Sequence, residues 1–174
     1  GGGLAAGVAQ CAKQINPNIK IIGVEPEGAQ CMKEALKFGK PVELSKVSTI
    51  ADGTAVKLAG QRTFELLNGV IDEIVTVSDY ELMDAFLVLV EKHKLIAETS
   101  GILTLAGLQK IKEKGKKVVS IVSGGNIDVL TISSMITKGL VSRGRIFSFS
   151  VDLTDKPGEL VKVSEILSTQ NANV

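Results

Sequence analysis

The sequence predicts an α/β fold built on a parallel sheet, on three observations. Short β-branched runs alternate with helical stretches. The runs over 19–24 and 118–122 end in proline or glycine turns, and a capping signal at Ser78 and Glu81 opens the helix after the run over 71–77. At 174 residues the chain is long enough for one domain and a small additional piece. A hydrophobic content of 44% supports a real core, and an aromatic content of 3% makes that core aliphatic. Twenty basic and nineteen acidic side chains leave a net charge of +1, which gives no basis for a nucleic-acid or membrane partner. Two cysteines, Cys11 and Cys31, are too few for a disulfide framework, and a single histidine argues against a histidine-rich metal site. There is no signal peptide and no apolar run of bilayer length, so the expected compartment is the cytoplasm.

Gly1-Gly2-Gly3 lead into a helix over 4–12, whose small apolar residues suit close packing on a sheet and which Asn16-Pro17-Asn18 ends. A strand follows over 19–24, then the turn Glu25-Pro26-Glu27-Gly28 and a helix over 29–38 stopped by Gly39. The stretch from Pro41 to Gly53 has no periodicity and reads as a long functional loop. A helix over 56–67 and an alternating strand over 71–77 come next. Ser78 and Glu81 form a capping box for a helix that is apolar almost all round and therefore buried. After Glu98-Thr99-Ser100-Gly101 a helix carries Leu103, Ala106 and Ile111, and the lysine-rich 110–117 is a solvated turn. A buried strand over 118–122 then opens into Ser123-Gly124-Gly125-Asn126, and a helix covers 131–140. Beyond it the texture changes. Residues 145–153 alternate strictly, as a half-exposed strand does, and Pro157 is placed to start a last helix over 161–167.

The site belongs where strands end, because ligands of α/β sheets bind at the carboxyl ends of strands. Consecutive glycines at a helix start let backbone N–H groups converge on an anion without side-chain obstruction. Two cofactor types fit. Gly1-x-Gly3-x-x-Ala6, with Glu25 about twenty residues on, matches the loose dinucleotide fingerprint. Pyridoxal phosphate, held by its single phosphate, fits the same loop and gives Ser123 a role as neutral partner of a pyridine nitrogen. The plain alternatives are a strand end with a turn at Ser123 and a turn carboxylate at Glu25.

Five motifs in one order carry a resemblance: Gly1-Gly2-Gly3-Leu4, Gly23-Val24-Glu25-Pro26, Thr49-Ile50-Ala51-Asp52-Gly53, Glu98-Thr99-Ser100-Gly101 and Ser123-Gly124-Gly125-Asn126-Ile127-Asp128. Over residues 1 to about 140 the chain resembles the threonine dehydratases and serine racemases of the tryptophan-synthase-β type. The tail, with its Asp155-x-Pro157-Gly158-x-Leu160 turn, resembles the start of an ACT domain. The resemblance implies a three-layer α/β/α domain of PLP fold type II over 1–140, a linker at 141–145 and a truncated ACT regulatory piece at 146–174. It implies a lyase that uses pyridoxal 5'-phosphate to convert L-threonine, and L-serine, to a 2-oxo acid and ammonia, in amino-acid metabolism such as isoleucine biosynthesis. A serine or aspartate racemase, or an amino-acid-binding regulatory module, are the alternatives.

The resemblance assigns Gly1, Gly2, Gly3 and Leu4 to the cofactor phosphate, Ser123 to the pyridine nitrogen, and Gly53 and Glu98 to positions beside the ring. Some relatives hold a cation near Glu25 and the carbonyl matching Ala29; here Cys31 stands where they have an aspartate, which suits a hard cation poorly. The cofactor-bearing lysine of the family lies in a Ser-x-Lys-x-Arg-Gly motif, and no such motif occurs in the 174 residues. The expectations are therefore a fragment cut at both ends, inactive alone, whose parent takes an amino-acid substrate and an amino-acid effector at the ACT piece. Unpaired strand edges predict self-association into a homo-oligomer.

Overall fold

Two β-rich runs form the sheet. β1 (Ile22–Pro26) and β2 (Glu73–Val77) pair in parallel, Ile22 opposite Glu73 through Pro26 opposite Val77. A parallel pair needs a crossover, which α2 (Cys31–Phe38) and α3 (Gln61–Leu67) supply. The computed structural model describes residues 1–112 and 115–172. The lysine-rich turn read over 110–117 includes Glu113 and Lys114, and the tail includes Asn173 and Val174; these four lie outside the described residues.

Helices cover both faces of the sheet. α1 (Gly3–Ile15), α2 and α3 bury Ala6, Ala9, Met32, Ala35, Phe64 and Leu67, with Ile21, Ile71 and Ile74 packed against them. The second cluster joins Val77, Leu82, Phe86, Ile102, Ala106 and Met135 from α4 (Asp79–Val88), α5 (Leu103–Gly107), α6 (Val129–Ser142) and their flanks, with Val24 against it. Ile74 and Val77 are three apart on β2 and so point to opposite faces, which places the two clusters on either side of the sheet. Gly107 lets α5 close onto β1, since a Cβ there would lie 2.7 Å from a Val24 methyl carbon.

The Ser78–Glu81 and Gly39 helix signals act as read. Ser78 accepts from the Glu81 N–H while the Glu81 carboxylate accepts from the Ser78 N–H. Gly39 ends α2 with a left-handed φ of 70°. α4 buries Leu82, Met83, Phe86 and Leu87, then continues as a π turn over Leu89–His93. Asp128 caps α6 by accepting from the Leu130 and Thr131 N–H groups.

Several boundaries and two strands differ from the sequence reading. β1 starts at Ile22 rather than residue 19, because the Ile21 N–H is taken by the Asp72 carboxylate. α3 starts at Gln61 rather than 56, because Gly60 is extended and the preceding Lys57 carbonyl accepts from Leu44 N–H. The predicted strand over 118–122 joins no ladder among the described residues. Its Ile121 carbonyl accepts from the Thr104 hydroxyl instead, and the Ser120 hydroxyl donates to the same group. The strand read over 145–153 is likewise absent from the described sheet: the segment is exposed, and an alternating run with no partner has no ladder to join. The linker read from 141 begins inside α6, which runs to Ser142. Gly139 allows this by packing against Leu87, whose Cδ1 is 2.6 Å from where a Cβ would sit. α7 (Glu159–Thr169) follows and buries none of its residues.

Phe86 is fully buried, so Phe86→Ala should destabilise the fold by roughly 3–5 kcal/mol. Ser78→Ala, which removes one side of the capping box, should cost roughly 0.5–2 kcal/mol. Urea unfolding followed by circular dichroism checks both the sizes and their order.

Candidate functional site

The start of α1 and the end of the 118–123 run meet across one cavity of about 350 Å³. Gly1, Gly2, Gly3, Leu4, Gly53 and Ser123, six of the residues singled out by the sequence, line it together. Gly2 has a left-handed φ of 84°, and a Cβ there would lie 2.8 Å from the Met32 methyl. The turn thus admits only glycine without displacing Met32. No side chain caps α1, so its first N–H groups stay available to a ligand.

Ser123 is placed by backbone. Its N–H donates to the Gly101 carbonyl at 3.1 Å, and the Glu98 N–H donates to the Gly124 carbonyl at 3.2 Å. A Cβ on Gly101 would collide with the Ser123 carbonyl, and one on Gly124, whose φ is 69°, would collide with the Glu98 carboxylate. The Gly53 loop is tied to this pair: the Thr99 hydroxyl donates to the Ile50 carbonyl at 2.8 Å, and Asp79 accepts from the Thr49 hydroxyl and the Ile50 N–H.

Glu98 does not line the cavity. Its carboxylate lies behind Gly124 and close to Gly53. Ser100 takes a place that the sequence reading gave to Glu98. It lines the cavity, faces Gly53, and its buried hydroxyl has no hydrogen-bond partner. Thr104 lines the cavity too. The signal for Ser100 was its position inside the Glu98-to-Gly101 motif; nothing in the spacing marked Thr104.

Glu25 closes another part of the wall, but its carboxylate is turned to the start of α2. Met32 N–H donates to Oε1 at 2.9 Å and Lys33 N–H to Oε2 at 2.8 Å. Burial raises its pKa above the ordinary 4.5, against the lowering by those two bonds. Cys31, at 3.8 Å from Oε1, has its thiol pKa raised by burial and by Glu25. Ala29 is buried outside the cavity lining. Among the described residues no three acidic, cysteine or histidine side chains group to hold a metal ion.

Residues 1–124 match the family described as pyridoxal-phosphate dependent enzyme. The chain belongs to that family. Among curated proteins it is 42% identical to an L-threonine ammonia-lyase of Thermotoga maritima over all of this chain and 44% of that protein. It is 39% identical to a biosynthetic L-threonine dehydratase of Pasteurella multocida over 96% of this chain and 33% of that one. Among solved structures it is similar to threonine deaminase isoform 2 of Solanum lycopersicum, with TM-score 0.72 and 41% identity over 78% of this chain and 41% of that chain. It is also similar to maize serine racemase, with TM-score 0.70 and 34% identity over 79% and 45%. The mixed α/β fold with its parallel sheet is that of PLP fold type II. The chain spans less than half the length of these relatives.

The cavity fits the family's cofactor on its own geometry. It offers a helix start without side chains for a phosphate and hydroxyls at Ser123 and Ser100 for a flat polar ring. The described lining includes no lysine or arginine, so an anion there is held by backbone N–H groups.

A raised Glu25 pKa means that the folded state holds a proton which the unfolded state has released. Stability therefore falls as pH rises from about 4.5 through the folded-state value, then levels off. Glu25→Gln should flatten that part of the profile, checked by urea midpoints measured from pH 4 to 8.

Proposed function

We propose that the chain forms the cofactor-binding part of a threonine ammonia-lyase that converts L-threonine to 2-oxobutanoate and ammonia, and L-serine to pyruvate. The observation that carries this is the meeting of the Gly1–Leu4 helix start with Ser123 in one cavity, in a chain whose full-coverage relatives are named for that reaction. Bound pyridoxal phosphate supplies an electron sink for the bond broken at the substrate α-carbon. The N–H groups of Gly1 to Leu4 hold the phosphate at the positive end of α1. Ser123 would offer the ring nitrogen a neutral hydroxyl. A serine there stabilises no positive charge on the ring, which moderates the sink and suits rapid elimination. Gly53 would bring backbone against the ring, while the Glu98 N–H holds the Gly124 carbonyl and its carboxylate lies close to Gly53.

The proposed organisation is a catalytic part at 1–140, a linker at 141–145 and an ACT piece at 146–174 that takes an amino-acid effector. Supporting it are the end of the family match at residue 124 and α7, which buries none of its residues. The biosynthetic names of several relatives support a biosynthetic role; isoleucine biosynthesis as that role, and a cytoplasmic homo-oligomer, are parts of the same proposal. No helix among the described residues is long and apolar enough to cross a membrane. A serine racemase is the second reading, favoured by the similarity to the maize enzyme.

Equilibrium dialysis with pyridoxal 5'-phosphate tests the site. Ser123→Ala should weaken binding about 2- to 13-fold, the value of one neutral hydrogen bond at roughly 0.5–1.5 kcal/mol. Affinity for inorganic phosphate should not change. Binding of a nicotinamide dinucleotide in place of pyridoxal phosphate would return Gly1, Gly3 and Glu25 to the dinucleotide fingerprint. Product analysis on the whole protein with L-threonine and L-serine separates lyase from racemase: a 2-oxo acid for the first, a D-amino acid for the second.

A further inference from the structure

Ser100 stands between two threonines whose hydroxyls are already paired. The Thr99 hydroxyl donates to the Ile50 carbonyl at 2.8 Å, and the Thr104 hydroxyl donates to the Ile121 carbonyl at 2.6 Å. Among the described residues the Ser100 oxygen is the one buried side-chain oxygen or nitrogen with no hydrogen-bond partner. It is closed off against the backbone of Gly53, where an added Cβ would lie 2.9 Å from it. A buried hydroxyl without a partner destabilises the fold, and an alanine in its place would not. The Gly53 loop does not need it. Asp79 and Thr99 hold Ile50, the Thr49 hydroxyl accepts from the Ala51 N–H, and the Thr54 hydroxyl donates to the Ala51 carbonyl at 2.9 Å. The local structure thus gives this hydroxyl no use, yet Ser100, Gly53 and Ser123 line one cavity together.

We propose that Ser100 is a second hydroxyl for the cofactor ring beside Ser123, and that seating the ring turns this hydroxyl from Gly53 into the cavity; the assignment rests on the pyridoxal phosphate reading of the site. One rotation about the Ser100 Cα–Cβ bond carries the oxygen from one staggered position to another, at little cost beside that of leaving it unpaired. Its target is the ring rather than the phosphate. Ser100 precedes Gly101, whose carbonyl accepts from the Ser123 N–H at 3.1 Å, whereas the phosphate belongs to the start of α1. A pyridoxal ring carries its nitrogen and its hydroxyl on one edge, with a single carbon between them. Two serines on segments bonded to each other suit such an edge, and both are neutral, so they add hydrogen bonds without adding charge. The unpaired hydroxyl raises the free energy of the empty site, and the ring relieves it. Ser100 therefore weakens the empty protein and strengthens the loaded one.

Ser100→Ala in the cofactor-free whole protein separates these two effects, which a merely structural serine would not set against each other. The urea midpoint should rise, because a buried unpaired hydroxyl is gone. Equilibrium dialysis should show pyridoxine 5'-phosphate bound about 2- to 13-fold more weakly, the range of one hydrogen bond between neutral groups. This probe has the ring and the phosphate but no aldehyde, so no covalent bond contributes. Affinity for inorganic phosphate should stay the same. Adding Ser100→Ala to Ser123→Ala should weaken pyridoxine 5'-phosphate further than Ser123→Ala alone. A midpoint that is unchanged or lowered, or an affinity for pyridoxine 5'-phosphate that Ser100→Ala leaves intact, overturns the role of Ser100 and leaves the cofactor reading standing. Failure of the unaltered protein to bind pyridoxine 5'-phosphate overturns that reading, and this inference with it.

Discussion

The paired backbone bonds between the 98–101 turn and Ser123-Gly124 are the constraint on which the site depends. Two N–H groups, Ser123 to Gly101 and Glu98 to Gly124, join segments more than twenty residues apart. Neither bond survives a side chain at Gly101 or Gly124, because both chains run too close. From this pair the order extends through polar contacts rather than through the core. Thr99 holds Ile50, Asp79 holds Thr49 and Ile50, and the loop so fixed carries Gly53 back to within contact of Ser100. Asp79 is the first residue of α4, and α4 is buried on the second core cluster. A hydrophobic helix therefore sets the height of a glycine loop at the cavity mouth.

Charge is kept out of that mouth. The ion pairs lie elsewhere, as with Lys13–Asp72, Lys110–Glu81 and Arg143–Asp84, where solvent screens them. Inside the cavity the positive end of α1 faces Glu25 across the same space. An ionised Glu25 would compete with any anion there. Burial favours its protonated form, and the start of α2 compensates whatever charge it carries through two N–H bonds. Both ends of the site thus use helix N-termini in place of lysine or arginine, which leaves a largely apolar cavity with few charged side chains in its lining.

The sequence was informative where one residue type has one physical use. Ser78 with Glu81 and Gly39 at a helix end each act locally, and each sits where its chemistry requires. The glycine loop and Ser123 were legible because strand ends and glycine turns mark sites by topology. Strands were legible only as candidates. Ile22 to Pro26 and the 118–122 run read alike, since both are β-branched and end in a turn. Pairing distinguishes them, and pairing depends on a partner that no local pattern names. Ser100 was missed for a related reason: its importance lies in being buried without a partner, a property of the assembled site. The resemblance puts Glu98 beside the ring; its carboxylate lies close to Gly124 and Gly53, and the residue is not part of the cavity lining.

The far end of α4 bears on the domain boundary. Arg143 donates to the Asp84 side chain at 2.9 Å and to the Asp84 carbonyl at 3.1 Å, and Arg145 pairs with Glu91 in the π turn. Gly139 lets α6 lie directly on Leu87, so the helix cannot fray before Ser142 without exposing that contact. The residues read as a linker, 141–145, are tied to α4 and its π turn through Arg143 and Arg145. One helix holds the Gly53 loop at its first residue and these residues at its last turns. Each of those ion pairs is partly exposed and individually weak, so the joint is set by the Gly139–Leu87 packing and only trimmed by charge.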